Sequence, residues 1–486
     1  MDINAFVSKV SGILWSTPMI ILCLAVGLLF TFWGRFLQIR LIKDMLSQLF
    51  KGKSSNAGIS SFQALAVSLS GRVGTGNIAG TATAIFYGGP GAIFWMWLIA
   101  FVGAATAYVE STLAQIYKVK QDGQFRGGPA YFIEKGMGLK WYGSLFAVAA
   151  IVALSLLMPG VQANSIAEGL YNAFHLEKWI TGLGIALLLA FIIFGGIKRI
   201  ARFAQFVVPF MAIGYVIVAI IVLLFNITKL PEVVSLVFRS AFAFDSAFGG
   251  IIGSAIAWGV KRGIYSNEAG QGTGAHAAGA AEVSHPAKQG LVQAFSVYID
   301  TWLVCSATAF MILITGSYNT IDANKAFIQE NLPGVEEGPA YTQAAVETVL
   351  PGFGAPFVAI SLLFFAFTTI MAYYYMSETN VAYLFRGKNN KWATFAIKIV
   401  ILAAVFFGCV RRSGVAWDLG DVGLGIMVWL NLIALLIISK PAMLALKDYE
   451  QQKRQGIDPV FDPVKLGIKN ADYWEEPKKG SKEEVS

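Results

Sequence analysis

The sequence predicts an all-α polytopic membrane protein with about eleven transmembrane helices. Hydrophobic residues make up 56% of the 486 and charged residues only 14%, against about 25% charged in a soluble domain. Apolar runs recur along the chain with no long hydrophilic block to form a second domain. Two of these runs are broken by glycine-rich segments, SGRVGTGNIAG from Ser70 to Gly80 and GIYSNEAGQGTG from Gly263 to Gly274. A bilayer cannot hydrogen-bond bare backbone, so unwound chain at membrane depth survives only where protein, ligand or ion satisfies it. Paired interruptions in corresponding halves point to a transporter's substrate site.

A span takes roughly 20 apolar residues. By that measure the segments fall near 13–36, 61–87, 91–117, 144–171, 179–195, 203–226, 246–283 (broken), 290–316, 354–384, 393–410 and 414–439. The first run exceeds a signal-peptide core and no small-residue cleavage pattern follows it, so it reads as a retained helix. The chain then divides into an N-terminal helix with a basic loop (1–60), a membrane core (61–440) and a tail (441–486). The tail mixes both charges with Pro459, Pro463 and Pro477 and has no sustained apolar period, which predicts a surface-bound or disordered segment. Trp417 and Trp429 read equally as interfacial anchors or as packing residues. Cys23, Cys305 and Cys409 lie in apolar runs without metal-ligand or disulfide spacing and read as small core residues.

Short loops rich in Lys and Arg stay on the cytoplasmic side. Alternate loops carry them: Arg35, Arg40, Lys43, Lys51 and Lys53; Lys118, Lys120, Arg126, Lys135 and Lys140; Lys198, Arg199 and Arg202; Arg386, Lys388 and Lys391. The longest intervening loop, Ser317 to Pro351, is acidic through Asp322, Glu330, Glu336, Glu337 and Glu347. The expected topology has the N-terminus outside and the C-terminus in the cytoplasm, with Arg411 and Arg412 as an exception. The net charge of +8 follows from these loops and the tail. With no basic face interleaved with exposed aromatics, nucleic acid is not an expected partner.

In the first break, Gly71, Gly74, Gly76 and Gly80 remove side chains where the chain would unwind. A half-helix starting near Asn77 would turn positive partial charge toward a carboxylate. Thr75 and Asn77 add a hydroxyl and an amide suited to sodium or a small zwitterion. The alternative is that the glycines only allow close helix packing. The spacing is not a dinucleotide fingerprint, and no βαβ unit surrounds it. In the second break, Asn267, Glu268 and Gln271 stand among Gly263, Gly270, Gly272 and Gly274. An intramembrane carboxylate is a functional candidate: Glu268 could bind a cation, carry a proton, or neutralise Lys261, Arg262 or Arg72, the last pairing as an inner gate. Polar residues also gather on the eighth span (Tyr298, Asp300, Thr301, Ser306, Thr308) and the ninth (Thr368, Thr369). Hydroxyls at that depth ligate hard cations or bond back to their own helix. Asp300, a buried carboxylate, needs a partner or a proton.

The segments VGTGNIAG (73–80), GGPGAIFWMW (88–97), QANSIA (162–167), SNEAG (266–270) and IDTWLVCSATA (299–309) together resemble the bacterial and archaeal alanine or glycine:cation symporters. The resemblance runs from about Phe62 to Ser439. It implies a leucine-transporter-like fold: one extra N-terminal helix, then two inverted five-helix repeats at about 61–226 and 246–439, with the second and seventh spans discontinuous. It further implies that the substrate meets Thr75, Gly76, Asn77, Ser266, Asn267 and Gly270, with Gln162 as a further contact. By the same resemblance, sodium would lie between Ser70, Val73, Thr368 and Thr369. Two departures bear on the pocket wall. Met158, Pro159 and Gly160 precede Gln162 where many relatives have Gly-Asn, and Ala372 and Tyr373 stand where many have Gly-Trp.

The expected function is sodium-coupled uptake of a small neutral amino acid, alanine or glycine, by a multi-pass protein of a prokaryotic cytoplasmic membrane. Its expected partners are the amino acid, sodium and the lipid bilayer, with no cofactor. Arg72, Glu268 and Asp300 are the expected gate or coupling residues. Proton coupling through Glu268 or Asp300, with serine or glutamine as substrate, is the alternative, and an amino-acid-sensing transceptor a further one. A membrane-embedded hydrolase built on His276, His285, Glu268 and Glu282 is disfavoured, because neither H-E-x-x-H nor G-x-S-x-G occurs.

Overall fold

Apolar length dictates the scaffold. A computed structural model describes residues 3–51, 54–55, 57–244, 248–387 and 390–475; Lys53, Lys388 and Pro477, used above, lie outside these residues. The chain is mostly helical. Among the described residues, eight helices are long and apolar enough to cross a membrane: Asn4–Trp33, Ala92–Ile116, Lys140–Phe174, Gly196–Phe225, Pro286–Thr315, Gly354–Leu384, Lys391–Val410 and Gly414–Ile438. Lys178–Ile193 is a shorter apolar helix. The broken segments form two helix pairs, Ser61–Arg72 with Thr81–Gly88 and Ile252–Asn267 with Thr273–Gly279.

The all-α expectation needs a small correction, because two short antiparallel hairpins occupy loops: Val119–Gln121 with Gln124–Arg126, and Asn319–Ile321 with Phe327–Glu330. The linker before the second break also folds, as the amphipathic helix Leu230–Ala241, which buries Val233 and Val237. Its apolar residues line one face rather than forming a run, so a search for spans passes over it.

The helix Ala92–Ile116 is the central strut. It packs along Pro286–Thr315, both halves of the second broken pair and the N-terminal helix. Three helices carry widened π turns near the centre, at Gly76–Gly80, Ala153–Leu157 and Tyr298–Cys305. The second has a cause in the sequence: Pro159 lacks an N–H and its ring crowds the carbonyl of Ser155, so the preceding turn opens.

The tail departs from the disordered or merely surface-bound state expected above. Lys440–Arg454 is a helix that buries Ala442, Met443, Ala445, Leu446 and Tyr449, and it packs on Ala92–Ile116 and Pro286–Thr315. Glu450 pairs with Arg40 at 2.8 Å and Asp458 with Lys288 at 2.7 Å. Trp474 donates to the Gln115 carbonyl at 2.9 Å. Lys118 lies over the rings of Phe125, Tyr473 and Trp474. The basic loops after the first and third spans thus meet the tail on one face of the molecule. Arg411 and Arg412, the exceptions to the charge pattern, line a separate cavity together with Lys178 and the acids Glu168, Glu336 and Asp418.

His285 anchors the tail and gives its docking a pH dependence. Its Nδ1 accepts from the Ala287 N–H at 3.1 Å, so Nε2 carries the proton and donates to Asp448 at 3.3 Å. Burial holds the imidazole below the ordinary histidine range, and the bond from His285 holds the Asp448 carboxyl below its ordinary value. Each group binds fewer protons docked than released. Docking is therefore at full strength above the ordinary histidine value of about 6.5 and is lost as pH falls through the depressed values. Limited proteolysis near Lys453 and Arg454 should accelerate on acidification, and His285→Ala should cleave fast at all pH values. A wild-type cleavage rate that does not change between about pH 7.5 and 5 would refute this.

Candidate substrate and cation site

The first break is shorter than its glycines suggest. The helix continues through Gly71 and Arg72, unwinds only at Val73 and Gly74, and resumes as the π turn Gly76–Gly80. Two amides freed there are occupied by side chains: Gly74 N–H donates to Asn77 Oδ1 at 2.8 Å and Thr75 N–H to Gln162 Oε1 at 3.0 Å. The second break spans 268–272, with Glu268, Gly270 and Gly272 at φ of 57°, 87° and 83°. The two breaks cross at Gly76, where a Cβ would come within 3.1 Å of the Ser266 Cα and 3.2 Å of the Tyr265 ring. A side chain there would push these neighbours apart, so glycine favours the close approach.

Asp300 ties the breaks together. One of its oxygens accepts from Asn77 Nδ2 at 2.6 Å and from Ser266 Oγ at 3.0 Å, and the other from Thr301 at 2.7 Å. Thr301 in turn receives Asn267 at 3.3 Å, and Cys305 lies 3.3 Å from Asn77 and 3.1 Å from Ser266. Asn77, Ser266, Asn267 and Asp300 therefore form one buried cluster, presented by the π turn at Tyr298–Cys305. Beside it, Gln162, which accepts from Thr75, lies near the buried rings of Tyr265 and Tyr373.

The expected cation residues fare unevenly. Thr369 lies directly against Gly74, although its hydroxyl also bonds back to Phe365 at 3.0 Å. Thr368 bonds to the same carbonyl at 2.9 Å and faces the Met211 sulfur. Ser70 bonds back to Val67 at 2.7 Å, and the Val73 amide to Leu69. Gly270 sits away from Thr75 and Asn77, against Leu432 and Asn431.

Arg72 and Glu268 cross over. Glu268 lies against Gly71 and Arg72 against Gly274, so each charged group rests on a glycine of the opposite break. Their expected pairing takes a different form, because Arg72 donates to Ser296 and to the Gln293 carbonyl, while neither Glu268 oxygen has a hydrogen-bond partner among the described residues. Arg72 lies in the field of three carboxylates, Glu268 most strongly, then Glu110 and Asp300. All four residues are at most 1% exposed. Arg262 and Lys261 instead share Asp421, at 2.9 and 2.6 Å, beneath Trp417.

Reading the sequence missed Glu110, Asn431 and Asp421. Each lies in a long, mostly apolar helix, Glu110 in Ala92–Ile116 and both Asp421 and Asn431 in Gly414–Ile438. Polarity at membrane depth was a usable signal for all three, since such residues are costly there and face the bundle interior.

Unwound backbone, satisfied by buried polar side chains inside a polytopic bundle, defines a membrane transport protein. The chain belongs to the sodium:alanine symporter family, which it matches over residues 1–463. It is 66% identical over 481 residues to the carrier protein YrbD of Bacillus subtilis (strain 168), covering 99% of each chain. It is 58% identical over 435 residues to the sodium/proton-dependent alanine carrier protein of Bacillus sp. (strain PS3), covering 89% of this chain and 97% of that one. The amino-acid carrier protein AlsT of Bacillus subtilis (strain 168) is 40% identical over 476 residues, 98% of each chain. The family consists of secondary transporters, not enzymes.

Proposed function

We propose that this chain carries a small neutral amino acid, alanine or glycine, across the cytoplasmic membrane together with sodium. The observation that carries the reading is the charge imbalance beside the breaks: two buried carboxylates, Glu268 and Asp300, lie in the field of one guanidinium, Arg72. Uncompensated charge is costly in a low-dielectric interior, so a mobile cation completes the cluster. The name of the Bacillus sp. (strain PS3) relative joins alanine to both sodium and protons, which supports the substrate and keeps the proton as the second reading.

In this reading the substrate carboxylate takes the amides of Gly74 and Thr75, displacing Asn77 Oδ1 and Gln162 Oε1. Gly76, Ser266 and Asn267 bound the amino group, and Tyr373 limits the side chain. Sodium sits near Ser70, the Val73 backbone, Thr368 and Thr369, of which Thr369 is best placed through its contact with Gly74. No cofactor is required. Lys178–Ile193 and the two broken pairs are read as three further crossings, giving one N-terminal helix, two inverted five-helix repeats and the tail. The common face of the tail and the basic loops supports a cytoplasmic C-terminus and an external N-terminus. Bound sodium raises amino-acid affinity by the same factor that the amino acid raises sodium affinity.

Proteoliposomes with an imposed inward sodium gradient should concentrate radiolabelled alanine, and potassium should not replace sodium. Accumulation driven by a proton gradient alone would transfer the coupling role to the carboxylates and overturn sodium symport. Thr369→Ala should raise the sodium concentration for half-maximal uptake by about tenfold, the loss of roughly 1.4 kcal/mol. Thr368→Ala should change it by less than about threefold, because its hydroxyl faces Met211. Equal effects of the two would discard this sodium position.

A further inference from the structure

The second break leaves backbone groups that must be satisfied inside the bundle, and two residues outside the broken helices satisfy them. Glu110, on Ala92–Ile116, accepts the Gly272 N–H at 3.1 Å. Asn431, on Gly414–Ile438, donates to the Gly270 carbonyl at 2.9 Å and also to the same Glu110 oxygen at 2.9 Å. Both side chains are fully buried. They grip the two glycines whose φ is positive. A Cβ at Gly270 would come within 2.8 Å of Leu432, and one at Gly272 would run into Pro129, so the turn is shaped by the same wall that supplies the brace.

We propose that Glu110 and Asn431 are positioning residues for amino-acid binding: they hold the 268–272 turn in the conformation that presents Ser266 and Asn267, just before it, to the substrate. This rests on the reading that the broken segments bind the amino acid. Glycine has the least backbone restraint of any residue. Without the brace, the Gly272 N–H and Gly270 C=O lose their partners, and the turn rearranges to satisfy them. The binding-competent turn then becomes a minor population, and apparent affinity falls by that fraction. Capacity at saturating substrate is retained, because substrate selects the same conformer. A purely structural role would instead lower the amount of folded protein and leave the affinity of the remainder unchanged.

The design of Glu110 separates placement from charge. Both bonds fall on one carboxylate oxygen, and the amide oxygen of a glutamine, with two lone pairs, can accept both. Alanine Kd and uptake kinetics should be measured on the full-length protein in saturating sodium for Glu110→Gln, Glu110→Ala and Asn431→Ala. Asn431→Ala and Glu110→Ala should raise Kd and KM by about tenfold or more while Vmax per folded molecule stays within about twofold. Glu110→Gln should stay within about threefold of wild type in Kd. Wild-type affinity in Asn431→Ala, or equal losses in Glu110→Gln and Glu110→Ala, would overturn the proposal. Should Glu110→Ala not fold, the other two variants still decide it. A wild-type protein that binds no alanine would instead overturn the substrate reading itself.

Discussion

Asp300→Ala is expected to abolish concentrative alanine uptake, with the initial rate falling by about a hundredfold or more while the protein still inserts and folds. The geometry sets this expectation. Asp300 receives three donors, from Asn77, Ser266 and Thr301, and through the first two it joins the first break to the second. Serine and threonine hydroxyls can turn back onto their own helices, whereas the Asn77 amide keeps only its longer contacts, to the Asp300 backbone carbonyl and to Cys305, both at 3.3 Å. A buried donor that loses its short charged acceptor costs about 1–3 kcal/mol, a factor of roughly 5 to 150. The crossing at Gly76 and Ser266 loses its common anchor, and one of the two carboxylates that attract the cation is gone. Asp300→Asn isolates the charge: its size is retained, its amide oxygen can still accept from Asn77 and Ser266, and its amide nitrogen can donate to the Thr301 hydroxyl. Its sodium dependence should weaken more than its alanine affinity. Initial rates of labelled alanine uptake against external sodium test both variants, and wild-type rates and sodium response in Asp300→Asn would remove Asp300 from the coupling machinery.

The two breaks were legible because glycine clusters and polar side chains are conspicuous in stretches that otherwise suit lipid. Their partners were legible only in part. Asp300 stood out as a carboxylate in a predicted span, whereas Glu110 sits beside Ser111 and Thr112 and Asn431 shares its helix with Asp418 and Asp421, and nothing local says which groups they reach. Contact between residues 110, 270 and 431 is a property of packing. The first break was read as longer than it is, because glycine permits unwinding without requiring it: Gly71 stays helical and lies beneath Glu268. The tail was misread for a related reason. Its buried residues occupy one face of a single helix, Ala442 to Tyr449, and its other contacts are dispersed ion pairs and aromatic contacts, so no apolar run announces that it docks.

Asp421→Ala is expected to open the site on the side of Trp417. Asp421 is one carboxylate serving two cations, with Arg262 at 2.9 and 3.3 Å and Lys261 at 2.6 Å. Its backbone carbonyl is held by the Trp15 indole at 2.9 Å, so the N-terminal helix fixes its position. The cations belong to Ile252–Asn267, one half of the second broken pair, and Trp417 stacks over Arg262 and against Tyr265. Trp417 also lines a cavity with Asn164, Glu168 and Glu337, so water lies within reach of this cluster if it separates. Removing one partner of a buried pair costs about 3–5 kcal/mol, because the remaining charge is uncompensated, and here two cations would be left together. Separation toward the cavity relieves that cost. A bias of this size shifts a two-state equilibrium by about two to three orders of magnitude. The variant should exchange labelled for unlabelled alanine but fail to accumulate it. Cys305, which contacts Asn77 and Ser266 and is 2% exposed, supplies the structural readout. With Cys23 and Cys409 replaced by serine, it should react with an impermeant thiol reagent in Asp421→Ala and not with Asp421 intact. Retained accumulation together with an unreactive Cys305 would mean that packing of Trp417 and Tyr265, rather than the shared carboxylate, keeps this side closed.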